Sequence, residues 1–192
     1  DGNFSYTFGL DGYRGESSYG QWTVQIEDTY GADQGTLQSV KFTGYGSTIS
    51  ADNVYHYTDE VLTAQAAQTG REVLTDSDGG VDWIDASAMY RNLVLNLTEG
   101  STSTLAGTAF LTIAAGTSIE HAIAGDGDDL ITGNSLDNSI YGMRGDDTMD
   151  GGDGTDTAVF FGNLADYTIT NSGGVVTVSG ASGTDTLTNF EF

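Results

Sequence analysis

Between Ala124 and Val159 the chain repeats every nine residues: AGDGDDLIT, GNSLDNSIY, GMRGDDTMD and GGDGTDTAV follow one another in register. Nonapeptides of the form G-G-x-G-x-D-x-U-x are a calcium-binding signature. Position six is held by Asp129, Asn138, Asp147 and Asp156, and position eight by Ile131, Ile140, Met149 and Ala158. The glycines let a six-residue loop take backbone angles that a Cβ would resist, so that carbonyl oxygens converge. The last three residues predict a short strand with its apolar eighth residue turned inward. Each strand and loop reverses the chain, so two nonapeptides complete a circuit and loop i stacks on loop i+2. At a strand spacing of about 4.8 Å, Asp129 then lies over Asp147 and Asn138 over Asp156. Two carboxylates that close repel by roughly 3 kcal/mol at an effective dielectric near 20, and a divalent cation between them turns repulsion into cohesion. Calcium is the natural ion, because it accepts many hard oxygen ligands in flexible geometry. Magnesium demands a small octahedron, and zinc prefers nitrogen or sulfur.

This stretch resembles the RTX (repeats-in-toxin) parallel β-roll of secreted bacterial proteins. The resemblance implies a ligand set: carbonyls two and four plus the position-six side chain from one loop, and positions one, three and six from its stacked partner. Carried onto this chain, the first site uses Gly125, Gly127, Asp129, Gly142, Arg144 and Asp147, with Arg144 giving only its backbone oxygen. The second uses Asn134, Leu136, Asn138, Gly151, Asp153 and Asp156. Leu136 stands where the pattern has Gly, and Asn138 where it has Asp, so the second site is expected to be the weaker.

Composition points the same way. Twenty-eight acidic residues against five basic ones give a formal charge of -23, which disfavours nucleic acid and anionic membrane as partners and favours cations. No apolar run approaches the length of a membrane helix. An apolar content of 38% with Trp 2, Tyr 10 and Phe 8 supports real cores and sets the chain apart from a disordered acidic tail. Cysteine is absent, so disulfides cannot stabilise the chain, and a calcium-stapled solenoid is another way to hold one together outside the cell.

The elements that must position the repeats read as all-β. Trp22, Val24 and Ile26 alternate with polar residues, as do Val40 and Phe42, which predicts antiparallel strands in residues 1–47. The string GESSYGQWTVQIEDTYGADQGTLQSVKFTGYG resembles the closing part of the P domain of kexin- and furin-type subtilases. Residues 48–123 carry ISADNVYHY, DSDGGVDWIDASAM, RNLVLNLTEGSTSTLAG and LTIAAGTSIEHAIAGDGDD in an order that resembles the C-terminal domain of serralysin-type metalloproteases. That resemblance implies further calcium ligands at Asn53, Gly79, Gly80, Asp82, Ser118 and Glu120, with Asp76 and Asp78 as additional candidates. TDEVLTAQAAQTG, with Thr58 as a cap and Gly70 as a stop, predicts one short helix. After the repeats, NLADYTIT and VVTVSG flank Asn171-Ser172-Gly173-Gly174, a hairpin signal, and GTDTLTNFEF supplies a last strand. This tail resembles the cap of such rolls, and its ending resembles the terminus of type I secretion substrates.

The expected organisation is therefore the end of a P-domain-like β-sandwich (1–47), a serralysin-like segment (48–123), the calcium-binding β-roll (124–159) and a β cap with a secretion signal (160–192). The chain has no Cys, no H-E-x-x-H and no G-x-S-x-G. Its two histidines, His56 and His121, read as packing or surface residues, and no catalytic residue is assigned. The P-domain resemblance implies a parent that is a secreted bacterial subtilase-like serine protease, with this chain as its non-catalytic region for calcium-triggered folding, export and stabilisation. The expected partners are calcium, the upstream protease domain and the type I secretion machinery. The rival reading is a calcium-dependent surface adhesin or extracellular matrix protein in which the roll is a spacer.

Overall fold

A computed structural model describes residues 50–67 and 70–191, and the residues from Ser50 onward form one compact unit. The P-domain-like fragment expected at 1–47 lies outside the described residues. What is described is nearly all β. Strands β1 (Val54–Thr58), β3 (Trp83–Ala88), β7 (His121–Ile123), β9 (Ser139–Tyr141) and β11 (Thr157–Ala158) form a five-stranded sheet in that order. All four of its pairings are parallel.

The second sheet has nine strands. Its order is β12 (Thr168–Ser172), β13 (Val175–Gly180), β14 (Gly183–Thr188), β10 (Thr148–Asp150), β8 (Leu130–Thr132), β4 (Leu93–Asn96), β5 (Thr102–Leu105), β6 (Thr108–Ile113) and β2 (Val73–Leu74). Within the repeats, successive strands alternate between the sheets. Each pairs in parallel with the strand two further on: Ile131 with Met149, and Ile140 with Ala158. The nine-residue period produces this, because a glycine-rich loop and a three-residue strand carry the chain across once and reverse it.

Position eight fills the space between the sheets. Ile131, Ile140 and Met149 are fully buried, and Ala158 packs against the same core. The core runs without a break into the preceding segment through Ile84, Leu95, Leu105, Phe110 and Ile113. The predicted helix forms as α1 (Val61–Ala67), but Thr58 is the last residue of β1 rather than its cap. The predicted hairpin joins β12 to β13 through Gly173 (φ +65°) and Gly174 (φ +89°), the pair of positive angles that a tight two-residue turn requires. Among the described residues no helix is long and apolar enough to cross a membrane.

Candidate metal sites

Every strand of the five-stranded sheet is entered through a residue with a side-chain oxygen: Asn53 before β1, Asp82 before β3, Glu120 before β7, Asn138 before β9 and Asp156 before β11. Parallel pairing stacks these into one row. The Asn53 amide N–H donates to Asp82 Oδ1 (2.7 Å), and the Asp82 amide to Glu120 Oε2 (2.7 Å). Further along, the Asn138 amide donates to Asp156 Oδ1 (2.7 Å), and the Asp156 amide to Glu191 Oε2 (2.6 Å). A second row lies on the other sheet. There the Leu93 amide donates to Asp129 Oδ1 (2.7 Å), the Asp129 amide to Asp147 Oδ1 (2.9 Å) and the Asp147 amide to Asp185 Oδ1 (3.0 Å). Stacking of loop i on loop i+2 thus brings Asp129 to Asp147 and Asn138 to Asp156.

Burial makes these rows electrostatically expensive. Asp129, Asp147, Asp156 and Asp185 are all buried. Loss of hydration, then the charges of Asp185 and Asp129, pushes the Asp147 carboxyl up to about 8. Burial, reinforced by Asp128 and Asp126, lifts Asp129 to about 6. Asp156, Asp185 and Asp82 are raised too, in each case mainly by burial. Two oxygens are also left over: Asp147 Oδ2 and Asp156 Oδ2 are buried without a hydrogen-bond partner. Such atoms are rare in folded proteins and ask for an explanation.

The neighbours of those atoms suggest one. A Cβ on Gly142 would sit 2.3 Å from Asp147 Oδ2, and one on Gly151 would sit 2.6 Å from Asp156 Oδ2 and 2.3 Å from the Asn189 carbonyl oxygen. A Cβ on Gly133 would meet the Gly151 carbonyl oxygen at 2.0 Å and Asn138 Oδ1 at 2.4 Å. At Gly133 and Gly151 oxygens from different segments therefore crowd a position where only glycine leaves room, and at Gly142 the crowding oxygen belongs to Asp147 of its own loop. Gly127 and Leu136 point their carbonyls at Gly145 and Gly154 of the stacked loops, at 2.0 and 2.6 Å from an added Cβ. The Gly125 oxygen accepts the Arg144 amide (3.2 Å) and the Asn134 oxygen accepts the Asp153 amide (3.2 Å), each with a second lone pair to spare. The Arg144 guanidinium pairs with Asp126 at 3.2 Å on the exposed rim. Among the described residues no three His, Cys, Asp or Glu side chains converge. The second place instead combines the position-six side chains of Asn138 and Asp156 with the Gly151 backbone oxygen, and the first brings together the carboxylates of Asp129 and Asp147; hard oxygens of these kinds are what a hard cation takes.

The remaining residues expected from the sequence divide. Asn53 joins Asp82 to the acidic loop before it, its side-chain amide donating to Asp76 Oδ2 (3.2 Å) and Asp78 Oδ1 (3.3 Å). Gly80, at φ +118°, lies against the Ala51 carbonyl oxygen, 2.3 Å from an added Cβ. Gly79 stands at an exposed corner with nothing within 4 Å of an added Cβ. Ser118 lines a hollow of about 580 Å³ together with Asn134, Leu136 and Asp153. His56 pairs with Asp85 at 2.8 Å. His121 stacks on Trp83 at 4.4 Å between ring centroids and accepts the Ser139 amide at Nδ1 (3.0 Å).

Two row members escaped the sequence reading. Asp185 belongs to GASGTDTLT, residues 180–188, which is a fifth nonapeptide with Gly at positions one and four, Asp at six and Leu at eight. The hairpin β12–β13 separates it from the fourth and breaks the nine-residue register. Glu191 closes the other row and carries no repeat signal at all.

Comparison with known proteins gives two family matches. Residues 43–172 match the family described as Peptidase M10 serralysin C terminal, and residues 1–43 match the proprotein convertase P-domain. Metalloprotease AprA of Pseudomonas entomophila is 33% identical over 139 residues, which cover 67% of this chain and 28% of that protein. Serralysin G of Dickeya chrysanthemi is 31% identical over 137 residues, 68% of this chain and 27% of the relative. The chain thus spans about a quarter of the length of the curated relatives it matches. These relatives overturn the expectation of a subtilase-like serine protease as parent. That expectation rested on the short P-domain-like stretch, whereas the alignments that cover two thirds of the chain lead to metalloproteases. With most of its length matched, the chain belongs to the serralysin C-terminal family of the M10 peptidases.

Proposed function

We propose that this chain is the calcium-binding, non-catalytic C-terminal region of a secreted metalloprotease, in which residues 124–159 form a parallel β-roll that calcium locks after export. The protein is secreted and extracellular, as its serralysin-type relatives are. The observation that carries the calcium reading is the pair of buried, unpartnered oxygens, Asp147 Oδ2 and Asp156 Oδ2, one in each row. The first site comprises Gly125, Gly127, Asp129, Gly142, Arg144 and Asp147, and the second Asn134, Leu136, Asn138, Gly151, Asp153 and Asp156. Asp185 and Glu191 extend the two rows, and Asp82 and Glu120 with Asn53 continue one of them toward the N-terminus. Bound calcium supplies the positive charge that these carboxylates lack.

The arrangement gives the chain a compartment-dependent fold. Cytosolic free calcium lies far below the roughly 0.1–1 mM dissociation constants of extracellular calcium modules, so the acidic chain there has only its marginal calcium-free stability and stays exportable by a type I route. Outside, calcium at ten times the dissociation constant adds about 1.4 kcal/mol per site.

Far-UV circular dichroism of the chain in chelator and then in millimolar calcium tests the reading. A gain of β signal with calcium, and a much smaller one with equal magnesium, is expected. Equal β content in chelator and in calcium rejects it.

A further inference from the structure

Sheet edges are sites of unwanted pairing, and proteins normally protect them with charge, brevity or cover. Among the described residues this fold has four. Strand β1 carries His56, whose Nδ1 lies 2.8 Å from an Asp85 carboxylate oxygen, and leads into Asp59, which Arg91 holds at 2.9 Å. Strand β2 is two residues long and follows Arg71 and Glu72 directly. Strand β11 is also two residues long, and the amide of Glu191 reaches the Asp156 oxygen at its start. Strand β12 has none of these protections. All five of its residues, Thr168 to Ser172, are exposed, and among the described residues it pairs on one side alone, with β13.

Charge singles out the same strand. In a chain of formal charge -23, the stretch from Tyr167 to Thr184 contains no charged residue. The carboxylates that flank it are spoken for: Asp166 accepts the backbone and side-chain N–H groups of Asn163, each at 3.3 Å, and Asp185 is buried in its row. Ile169 is 49% exposed although its register partner Val178 is 4% exposed. Cross-strand partners share a face, so Ile169 extends the inward, apolar face of the hairpin past the core and leaves it uncovered.

We propose that β12 is a homodimerisation edge, pairing antiparallel with β12 of a second copy about a two-fold axis near Ile169. Two highly acidic molecules repel wherever their carboxylates meet, and this edge lets them approach without bringing any together. Pairing satisfies the outward backbone groups of both strands and sets the Ile169 side chains of the two copies against each other. Because like strands of the same face must oppose one another, the register is self-complementary.

Sedimentation of the full chain in calcium should show a monomer–dimer equilibrium. Ile169→Lys should raise the dissociation constant by about tenfold or more, as should Thr170→Lys on the opposite face, because an edge lysine blocks strand pairing. Both variants should keep the native melting temperature. The chain has no cysteine, so Ile169→Cys provides a clean second readout: it should oxidise to a covalent dimer about tenfold faster than Cys placed at Tyr90, which is more exposed still at 69%. A chain that stays monomeric at every concentration, a dimer indifferent to both lysines, or equal oxidation of the two cysteine variants overturns the proposal.

Discussion

Among the position-six residues of the four contiguous repeats Asn138 alone is not a carboxylate, and its side chain has work that a carboxylate cannot do. Its Nδ2 donates to the Glu120 carbonyl (2.9 Å) and to Asn134 Oδ1 (3.1 Å). In Asn138→Asp both acceptors would face an oxygen. The calcium-free fold should therefore lose about 1–3 kcal/mol, the cost of unpaired buried groups, while the added charge strengthens attraction for calcium. Denaturant unfolding in chelator and in calcium should show a wider gap between the two than in the native chain, and unchanged stability in chelator rules out the role assigned to the amide. Leu136 is tolerated at the fourth position because the backbone there does not need glycine. Gly145 and Gly154 sit at φ +121° and +126°, whereas Leu136 keeps a negative φ, and its amide is held by Asn134 Oδ1 at 2.9 Å. The raised carboxyls also set a pH dependence. Asp147 titrates near 8 and Asp129 near 6 in the calcium-free fold, against about 4 in an unfolded chain. Between those values the folded state binds more protons than the unfolded one, so calcium-free stability falls as pH rises through that window. The melting temperature in chelator should be higher at pH 5 than at pH 8; the opposite order contradicts the assigned burial.

At the scale of elements, β14 joins the cap to the repeats. It pairs in parallel with β10, Met149 against Leu187, and in antiparallel fashion with β13. The hairpin is thus an insertion between the fourth and fifth nonapeptides that lets one more position-six aspartate re-enter the row. Asp185→Asn keeps an oxygen to accept the Asp147 amide and removes a charge that raises Asp147. Hydrogen exchange in chelator should show β13 and β14 at least as protected as in the native chain, and the calcium-induced gain in protection should shrink. An undiminished gain excludes Asp185 from cation binding. The repeats, the hairpin turn and the short helix were legible because each is encoded within about a dozen contiguous residues. GASGTDTLT carries the same pattern, but the β12–β13 hairpin displaces it from the continuous nine-residue register.

Over the whole molecule, the sequence determined the charge of -23, the nine-residue period, and with it the stacking of Asp129 on Asp147 and of Asn138 on Asp156. Those follow from local rules: glycine placement sets the loops, the apolar eighth residue sets the inward face, and the period sets which loops meet. The tertiary structure decided what depends on distant segments. It made Asn53, Asp82 and Glu120 one row with Asn138 and Asp156, because parallel pairing of β1, β3, β7, β9 and β11 aligns strands whose spacing in the chain is irregular. It brought Asp185 and Glu191 to the ends of the rows, and it left Asp147 Oδ2 and Asp156 Oδ2 buried without partners. No sequence pattern reports burial of a single oxygen, since that depends on every segment packed around it.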